Sequence, residues 1–412
     1  MAQAYIIDHC RTPRGSGKPG RGALSGLHPQ ELGAAVLRAL RDRNDLPTGQ
    51  VDDILWGCSN QQAKQGSDLG RMTALAAGYD LRASGITLDR FCGSGLSAVM
   101  LGAASVMSGM EDIVIAGGCE MMSHNIADPR AQRTRLMDAD NPALRALYPQ
   151  VAQGLCADAI ASLENIPRPA LEALALESQR RAAVAISEGR FRGALVPVYD
   201  AAGAVLLAED EHPRPGTTAE GLAALAPAFG TAAGVVIDDE GTTQLDLLLR
   251  AVPDLQMQFM HHAGTSSGVA DGAAAVLLAS EAAVAAHGWR PRARIIAMAN
   301  MGDSPELMLN APVPATRKVL AKAGLTLEDI DLFEVNEAFA VVPEKFLRDT
   351  GVSRDKVNVN GGAIALGHPI GATGAILTGT LLDELERRGV RRGLVTMCAA
   401  GGMAPALIIE RL

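Results

Sequence analysis

The same order of elements occurs near both ends of the chain, and it strongly limits the folds that the chain can adopt. Near the front, Cys92 precedes a helical run over 96–107. Near the end, His368 precedes a helical run over 372–388. A strand tipped by glycine or cysteine follows each helix. This repetition indicates an internal duplication. Because functional turns of α/β sheets lie at the carboxyl ends of strands, we expect both turns at one shared seam.

The texture of the sequence divides the chain into three regions. Residues 1–122 alternate apolar strands with helical patterns, which is typical of a mostly parallel sheet. Residues 123–267 are richer in arginine, proline and short helices and have the character of an insertion. A buried-strand composition returns over 268–286, and the alternation then resumes. The sequence therefore predicts an α/β chain with an N-terminal half (1–122 and 268–286), an inserted loop domain (123–267) and a C-terminal half (287–412).

Charge and cysteine usage limit the partners and the compartment. The 412 residues carry a net charge of −9, which gives no support to nucleic-acid binding. Six cysteines form no Cys-x-x-Cys pair and no familiar disulfide framework, which indicates reduced thiols. Strand-like sequence begins at Tyr5, and the uncharged stretch 394–409 is too short and too broken to cross a bilayer. We expect a cytoplasmic protein without a targeting or membrane segment.

Cys92 lies in a glycine-rich turn between an extended run and a helix. Backbone N–H groups and the dipole at the start of a helix favour a thiolate. Gly93 and Gly95 would let other groups approach the sulfur closely. The alternative is a small buried hydrophobe, because free cysteine usually belongs to the core. The turn alone leaves both interpretations open.

Three further side chains stand in unusual settings. His368 is surrounded by glycines, and an imidazole can activate a thiol and donate to an oxyanion. Cys398 ends a buried strand, where a lone thiol is more often inert but a paired one can act as acid and base. Asn336 and Glu337 form a polar pair inside an apolar run and need hydrogen-bonded partners. That pair is either functional or structural, for instance as a helix cap.

Two other signals are set aside. The segment 15–20 matches Gly-x-Gly-x-x-Gly, but a proline interrupts it and no helix follows at once, so a dinucleotide site is not expected. His261 and His262 lack nearby acidic or thiol ligands at metal spacing. We therefore expect no metal site.

Several motifs follow one another along nearly the whole chain: Arg11-Thr12-Pro13, the Cys92 turn, Gly117-Gly118-Cys119-Glu120-Met121-Met122-Ser123, Ser266-Ser267-Gly268, Asp271-Gly272-Ala273, Asn336-Glu337-Ala338-Phe339, Gly367-His368-Pro369 and the Cys398 tip. In this order they resemble the thiolases, a family of acetyl-CoA acyltransferases. The resemblance implies a duplicated α/β/α/β/α fold with an inserted loop domain, and a ping-pong reaction on CoA thioesters.

The resemblance also implies roles for the matching residues. Cys92 is the nucleophile that becomes acylated. His368 activates it and helps to bind the thioester oxygen, and Asn336 holds a water in that same oxyanion hole. Cys398 protonates the departing acetyl-CoA carbanion and then deprotonates incoming CoA. A second oxyanion hole consists of the backbone N–H groups of Cys92 and Ala400.

For ligands and assembly, the resemblance implies that Ser267 contacts the pantetheine arm and Arg214 the nucleotide end of CoA. Coenzyme A and acyl-CoA are substrates, no cofactor is bound permanently, and a homodimer or homotetramer is expected. The independent chemical requirements agree, because cleavage beside a ketone needs a nucleophile, a sink for the enolate and an acid.

The chain departs from the family pattern at three places near the acyl group. Ala400 replaces the usual glycine, Gln153 stands where methionine often lines the acyl pocket, and 230–261 has the character of an insertion. We therefore hypothesise an acyl group other than that of plain acetoacetyl-CoA. The sequence favours a thiolase that cleaves 3-ketoacyl-CoA or runs the reverse condensation, with the direction left open. The alternative is a non-catalytic acyl-CoA-binding or scaffold protein, which should have lost part of the Cys92, His368 and Cys398 set.

Overall fold

A computed structural model describes residues 2–131 and 136–412 of the chain. The strands are β1 (Tyr5–Arg11), β2 (Gly15–Ser16), β3 (Asp53–Gly57), β4 (Ile86–Leu88), β5 (Ile113–Met121), β6 (Val198–Tyr199), β7 (Val205–Leu207), β8 (Ala270–Ala279), β9 (Ala293–Gly302), β10 (Leu332–Val335), β11 (Arg392–Thr396) and β12 (Met403–Arg411). The α-helices are α1 (Pro29–Arg43), α2 (Leu69–Ala76), α3 (Ser94–Ser108), α4 (Met122–Ala127), α5 (Pro142–Leu147), α6 (Gln153–Leu163), α7 (Arg168–Ser187), α8 (Ala219–Ala223), α9 (Gly230–Ala233), α10 (Gln244–Ala251), α11 (Glu281–His287), α12 (Pro312–Ala323), α13 (Val341–Thr350), α14 (Ala363–Leu366) and α15 (Thr373–Arg388).

Ten strands form one sheet that divides naturally into two parts. The order is β10-β11-β12-β9-β1-β8-β5-β3-β4, with β2 paired to β8. Strands β1 and β9 meet through two residue pairs, Tyr5 with Arg294 and Ile6 with Ala293. We call β1, β2, β3, β4, β5 and β8 the N-terminal sheet, and β9 to β12 the C-terminal sheet.

The sequence predicts a mostly parallel sheet in the first 122 residues. This prediction is wrong for β1, because both neighbours of β1 are antiparallel to it. Strands β3, β4 and β5 run parallel to one another. Strand β8 lies between β1 and β5 and is antiparallel to both. The alternation of strands and helices within 1–122 does not reveal this, because β8 returns from beyond the inserted region. The C-terminal sheet is also mixed, with β10 and β11 parallel and β12 antiparallel to its neighbours.

Two helices fill the space between the sheets. Helix α3 packs on β3, β5 and β8 and also touches β12, while α15 packs on β10 and β11 and also touches β5 and β8. Helices α1 and α2 cover the outer face of the N-terminal sheet, and α12 covers the C-terminal sheet. The predicted α/β/α/β/α layering is thus confirmed. Ten of the 15 residues of α3 are buried, as expected of a helix that is apolar on all sides.

One segment of the described chain, Phe91–Ser108, is long and apolar enough to cross a membrane by composition alone. It coincides with α3 and is 67% buried. The burial fits a central core helix, because neighbouring elements cover it.

The first turns of α3 and α15 touch each other through glycine. A Cβ atom on Gly95 would lie 2.6 Å from the carbonyl oxygen of Gly371, and one on Gly374 would lie 1.9 Å from the backbone nitrogen of Leu96. Only a residue without a side chain permits this approach of two backbones. The contact brings the turns that carry Cys92 and His368 to the same place.

Helices α4 to α10 and the β6–β7 hairpin lie within the region predicted as an inserted loop domain. Strand β8, within 268–286, belongs to the N-terminal sheet. The exact boundaries of the three regions stay a prediction.

Candidate active site

Five of the predicted site residues line one cavity of about 690 Å³. These five are Cys92, Gln153, Arg214, Ser267 and His368. We call this space the first cavity. The other predicted residues are separate from it: Ala400 lines a second cavity together with Cys92, and Asn336 and Cys398 are buried.

The turn that presents Cys92 is held by a short hydrogen-bond network. Phe91 has a backbone φ of +49°, a conformation that residues other than glycine rarely adopt. The carboxylate of Asp89 accepts a hydrogen bond from the Phe91 N–H at 2.6 Å. The hydroxyl of Ser94 donates to the Phe91 carbonyl at 2.6 Å and accepts from the Arg90 N–H at 2.8 Å. Backbone strain of this kind persists only where surrounding contacts hold it in place. Here the strained turn holds Cys92 in a defined position.

Burial is the dominant influence on the Cys92 thiol. It raises the pKa of Cys92 to about 11, while hydrogen bonds from the Gln153 side chain and from its own backbone N–H act in the opposite direction. The expectation that the helix start leaves this sulfur as a thiolate is therefore wrong for the free protein. The low dielectric around the 4% exposed side chain outweighs the dipole. Cys92 needs a base.

The surroundings of His368 suit it to act as that base. The Thr373 hydroxyl donates to the Pro369 carbonyl at 2.8 Å, so its oxygen is left to accept from Nδ1–H of His368 at 2.6 Å. The proton of the neutral ring is thereby fixed on Nδ1. The other nitrogen, Nε2, is buried and has no partner among the described residues. It presents a lone pair beside the cavity.

The imidazole stays neutral over the physiological range. Burial, and secondarily the positive charge of Arg14, lowers the pKa of His368 to about 3. Arg14 itself is buried and donates to the Gly367 carbonyl at 3.3 Å. A neutral ring can accept the Cys92 proton and, once protonated, donate a hydrogen bond to a developing oxyanion.

Cys398 and Asn336 follow neighbouring parallel strands at the same end of the C-terminal sheet. Asn336 comes directly after β10, and its backbone N–H donates to the Thr396 carbonyl of β11 at 3.1 Å. Both polar atoms of the Asn336 side chain are buried without a partner among the described residues. Burial raises the pKa of Cys398, and the nearby Cys92 raises it further. A protonated thiol thus lies near the nucleophile, and an unpaired amide lies at the same end of the C-terminal sheet.

Glu337, the partner of Asn336 in the sequence motif, has a structural role. Its carboxylate accepts from the Ser178 hydroxyl at 2.6 Å and from Asn358 Nδ2 at 3.1 Å. The interpretation of this pair as a helix cap is wrong, because α13 begins only at Val341.

Ala400 fits the position that the family fills with glycine. The left-handed conformations of this turn fall on Gly401 (φ +77°) and Gly402 (φ +73°), and Ala400 is not among the residues with positive φ. Its N–H has no hydrogen-bond partner within the described parts of the chain. The donor required of an oxyanion hole is therefore available.

The loop after β1 forms part of the wall of the first cavity, which was not predicted from the sequence. Lys18 and its neighbours in 16–19 line the cavity, as does His212. Arg11 forms a buried bidentate pair with Asp210, at 2.7 and 2.9 Å, which holds the 210–214 segment beside this loop. The glycine-rich pattern of residues 15–20 was the available sequence signal.

The 230–261 segment, which the sequence predicts to be an insertion, packs against the start of α6, the helix that presents Gln153. Gln244 Oε1 accepts from the Ala152 N–H at 2.8 Å. At its other end, His261 Nδ1 bonds Asp158 of α6 at 2.7 Å, and both side chains are fully buried. The insertion therefore fixes the position of Gln153 relative to Cys92.

Comparisons with known proteins agree across the whole length. A family model described as thiolase, N-terminal domain, matches residues 4–238, and one described as thiolase, C-terminal domain, matches 289–411. A steroid 3-ketoacyl-CoA thiolase of Mycobacterium tuberculosis is 40% identical over 419 residues, covering 100% of this chain and 95% of the relative. A 3-oxoadipyl-CoA/3-oxo-5,6-dehydrosuberyl-CoA thiolase of Escherichia coli is 40% identical over 430 residues, with both chains covered completely. The crystal structure of the Bacillus anthracis acetyl-CoA acetyltransferase superposes with a TM-score of 0.83 at 33% identity, covering 100% of this chain and 99% of that one.

Proposed function

The chain belongs to the thiolase family, and we propose that it cleaves a 3-ketoacyl-CoA with CoA, or runs the reverse condensation, through an acyl group on Cys92. One observation supports this above the others. A neutral imidazole, with its free nitrogen fixed by Thr373, lines the same cavity as a buried thiol. That arrangement suits a base that must take a proton from an un-ionised nucleophile.

In the cleavage direction, Nε2 of His368 removes the Cys92 proton and the sulfur attacks the 3-keto carbon. The N–H groups of Cys92 and Ala400 hold the resulting alkoxide. The bond between C2 and C3 then breaks, and its electron pair passes to the acetyl-CoA enolate while the acyl group stays on sulfur. The protonated His368 and the amide of Asn336, through a water, hold the thioester oxygen of that enolate.

Cys398 completes both half-reactions. Its protonated thiol gives a proton to C2 of the enolate and releases acetyl-CoA. The resulting thiolate takes the proton of incoming CoA, whose sulfur then attacks the acyl group on Cys92. The bond between the acyl carbon and the Cys92 sulfur breaks, and the protonated His368 returns its proton to that sulfur. The raised pKa of Cys398 supports the role, because the thiol is protonated when the carbanion forms.

We also assign the first cavity to the CoA part of the substrate. Arg214 and Lys18 line it and provide positive charge for an anionic ligand. Ser267 lies on the same wall for the pantetheine arm. Side chains and backbone groups of this chain supply every proton transfer and every hydrogen bond described above. The proposal therefore includes no permanently bound cofactor.

For the assembly, we propose a homodimer or a tetramer built from dimers. Strand β4 is the last strand of the N-terminal sheet, and Ile86 on it is 50% exposed. Leu81 just before it is 78% exposed. An apolar edge strand is normally covered, and a second copy of the chain is the occupant we propose. The cytoplasm remains the proposed compartment, since all six cysteines are free.

Intact-protein mass spectrometry after incubation with acetoacetyl-CoA tests the proposed function. We expect an acetyl adduct in the native protein, its loss on addition of CoA, and no adduct in Cys92→Ser. Absence of both the adduct and CoA-dependent cleavage would favour the alternative, a non-catalytic acyl-CoA-binding or scaffold protein.

A further inference from the structure

A second cavity of about 410 Å³ meets the nucleophile on another side. Cys92 and Gln153 line both this cavity and the first one. The remaining lining includes Ala400, whose N–H belongs to the proposed oxyanion hole. An acyl group on the sulfur, with its oxygen directed at Ala400, has this space beside it. An acetyl group would leave most of the cavity empty.

The wall of the second cavity is unusually polar for an alkyl chain. Ser59, Asn60, Glu120, Asn125 and Gln153 all contribute to it. Ligand cavities for plain acyl chains are predominantly apolar, with few polar groups. The hydrogen-bond inventory of these five side chains therefore decides what the cavity accepts.

Two of the five side chains are wholly or largely satisfied by the protein. Glu120 accepts five N–H hydrogen bonds, at 2.8 to 3.2 Å, from Ser59, Asn60, Gln65, Asn125 and Gly371. Asn125 donates to Glu120 at 3.2 Å and accepts from Gln65 at 3.0 Å. Glu120 therefore has no free capacity for a ligand, while Asn125 keeps one amide N–H.

The rest of the hydrogen-bonding capacity that the described residues leave free lies on the Ser59 hydroxyl and on the amides of Asn60 and Gln153, and each of these groups can accept as well as donate. Asn60 uses Nδ2 to donate to the Ala131 carbonyl at 2.7 Å, which leaves its Oδ1 as an acceptor. That oxygen is buried and has no partner among the described residues. Gln153 directs its amide N–H at the Cys92 sulfur, which leaves its oxygen as a second acceptor. A buried acceptor without a donor costs free energy, so an alkyl chain is a poor occupant.

The charge of Glu120 opposes an anionic occupant. Burial raises the pKa of Glu120, but its five N–H hydrogen bonds favour the ionised, acceptor-only form, so Glu120 places a negative charge in the wall. A terminal carboxylate on the acyl chain would meet like charge.

We propose that the second cavity selects 3-ketoacyl-CoA substrates whose acyl chain carries an uncharged hydrogen-bond donor, such as a hydroxyl, which Asn60 Oδ1 and Gln153 Oε1 accept. This inference rests on the proposed thiolase function. It differs from what the names of the relatives suggest, since one acts on an oxoadipyl thioester with a carboxylate end and another on a steroid.

The test compares thiolysis rates for three substrates of equal length. At both eight and ten carbons, kcat/KM is measured for the plain 3-ketoacyl-CoA, its ω-hydroxy analogue and its ω-carboxy analogue, with acetoacetyl-CoA as the reference. We expect the hydroxylated substrate to exceed each of the other two by roughly tenfold at one length or both, because one hydrogen bond to an otherwise unpaired acceptor distinguishes them.

Three variants identify the residues responsible. Asn60→Leu and Gln153→Met should each reduce the preference for hydroxyl over alkyl, measured as the ratio of kcat/KM values, by about fivefold or more. Asn310→Leu removes another amide with an unpaired oxygen, away from both cavities, and should leave the preference unchanged. Measuring the ratio between substrates removes any general effect of Gln153 on the Cys92 sulfur.

The outcomes separate this inference from the proposed function. Equal rates for the three classes, or a best rate for the alkyl or the carboxylate chain, overturn the inference while cleavage of acetoacetyl-CoA upholds the thiolase function. A hydroxyl preference that survives both Asn60→Leu and Gln153→Met also overturns it. Failure to cleave any substrate, acetoacetyl-CoA included, overturns the proposed function itself.

Discussion

The strongest prediction concerns the hydroxyl that fixes the catalytic imidazole. Thr373→Val removes the oxygen that accepts the Nδ1–H of His368 at 2.6 Å and leaves that N–H unpaired in a ring that is 5% exposed. When Nε2 takes the Cys92 proton, the ring becomes a cation, and its hydrogen bond to Thr373 becomes charge-assisted. Such a bond contributes about 1.5–3 kcal/mol. Since 1.4 kcal/mol is a factor of ten, we expect kcat/KM to fall by about 10- to 100-fold.

The assay is steady-state thiolysis of acetoacetyl-CoA, with the thermal unfolding midpoint recorded on the same preparations. Thr373→Ser keeps the hydroxyl and should stay within about threefold of the native rate, because the bond to His368 survives. If Thr373→Val cleaves within twofold of the native rate while folded, Thr373 does not position the base. Equal losses in Thr373→Val and Thr373→Ser would refute the argument as well, since only the methyl group distinguishes serine from threonine.

Three further predictions test other parts of the site. The rate of Cys92 alkylation by iodoacetamide should rise with pH toward about 11, and Gln153→Met should move that midpoint upward because it removes a hydrogen bond to the thiolate; a midpoint below 8 would contradict the dominance of burial. Gly374→Ala should reduce the free energy of unfolding by about 3 kcal/mol or more, because its Cβ would lie 1.9 Å from a backbone nitrogen of α3, whereas Gly26→Ala, with open space around it, should change it little; equal unfolding midpoints in urea would reject the close contact. Arg214→Ala should raise KM for CoA several-fold with little change in kcat, and a change confined to kcat would place Arg214 outside the CoA cavity.

Local sequence patterns predicted much of the fold. The burial of α3 followed from an apolar composition on every side, and the segments of β5 and β8 followed from uninterrupted apolar runs. The direction of β8 did not follow, because direction depends on the path of the inserted region between distant strands. The same holds for the Cys92 turn, where the sequence reveals the helix start but not the depth of burial that raises the pKa of the thiol.

The candidate site shows the same division between local and long-range information. Cys92, His368 and Cys398 stood out because reactive side chains lay beside glycines or at a strand end. Lys18 and Asn60 did not stand out, since each becomes relevant only through contacts with segments far away in the chain. The function of the 230–261 insertion was likewise hidden, because its bonds to α6 join residues about 90 to 100 positions apart.

The pKa values of Cys92 and His368 are shifted in the directions that favour the neutral form of each group. Burial raises the pKa of Cys92 to about 11 and lowers that of His368 to about 3. A resting thiolate–imidazolium pair, of the kind that gives some cysteine enzymes a thiol pKa of about 3–4, is therefore disfavoured here. Transfer of the proton becomes favourable only when a substrate oxygen can accept from the imidazolium and the N–H groups of Cys92 and Ala400 can hold the new alkoxide. The substrate brings both the oxygen that accepts from the imidazolium and the carbonyl that becomes the alkoxide. The thiol therefore stays protected from adventitious reaction until the correct substrate is bound. The departing acetyl-CoA carbanion then meets Cys398, whose raised pKa keeps it protonated for that step.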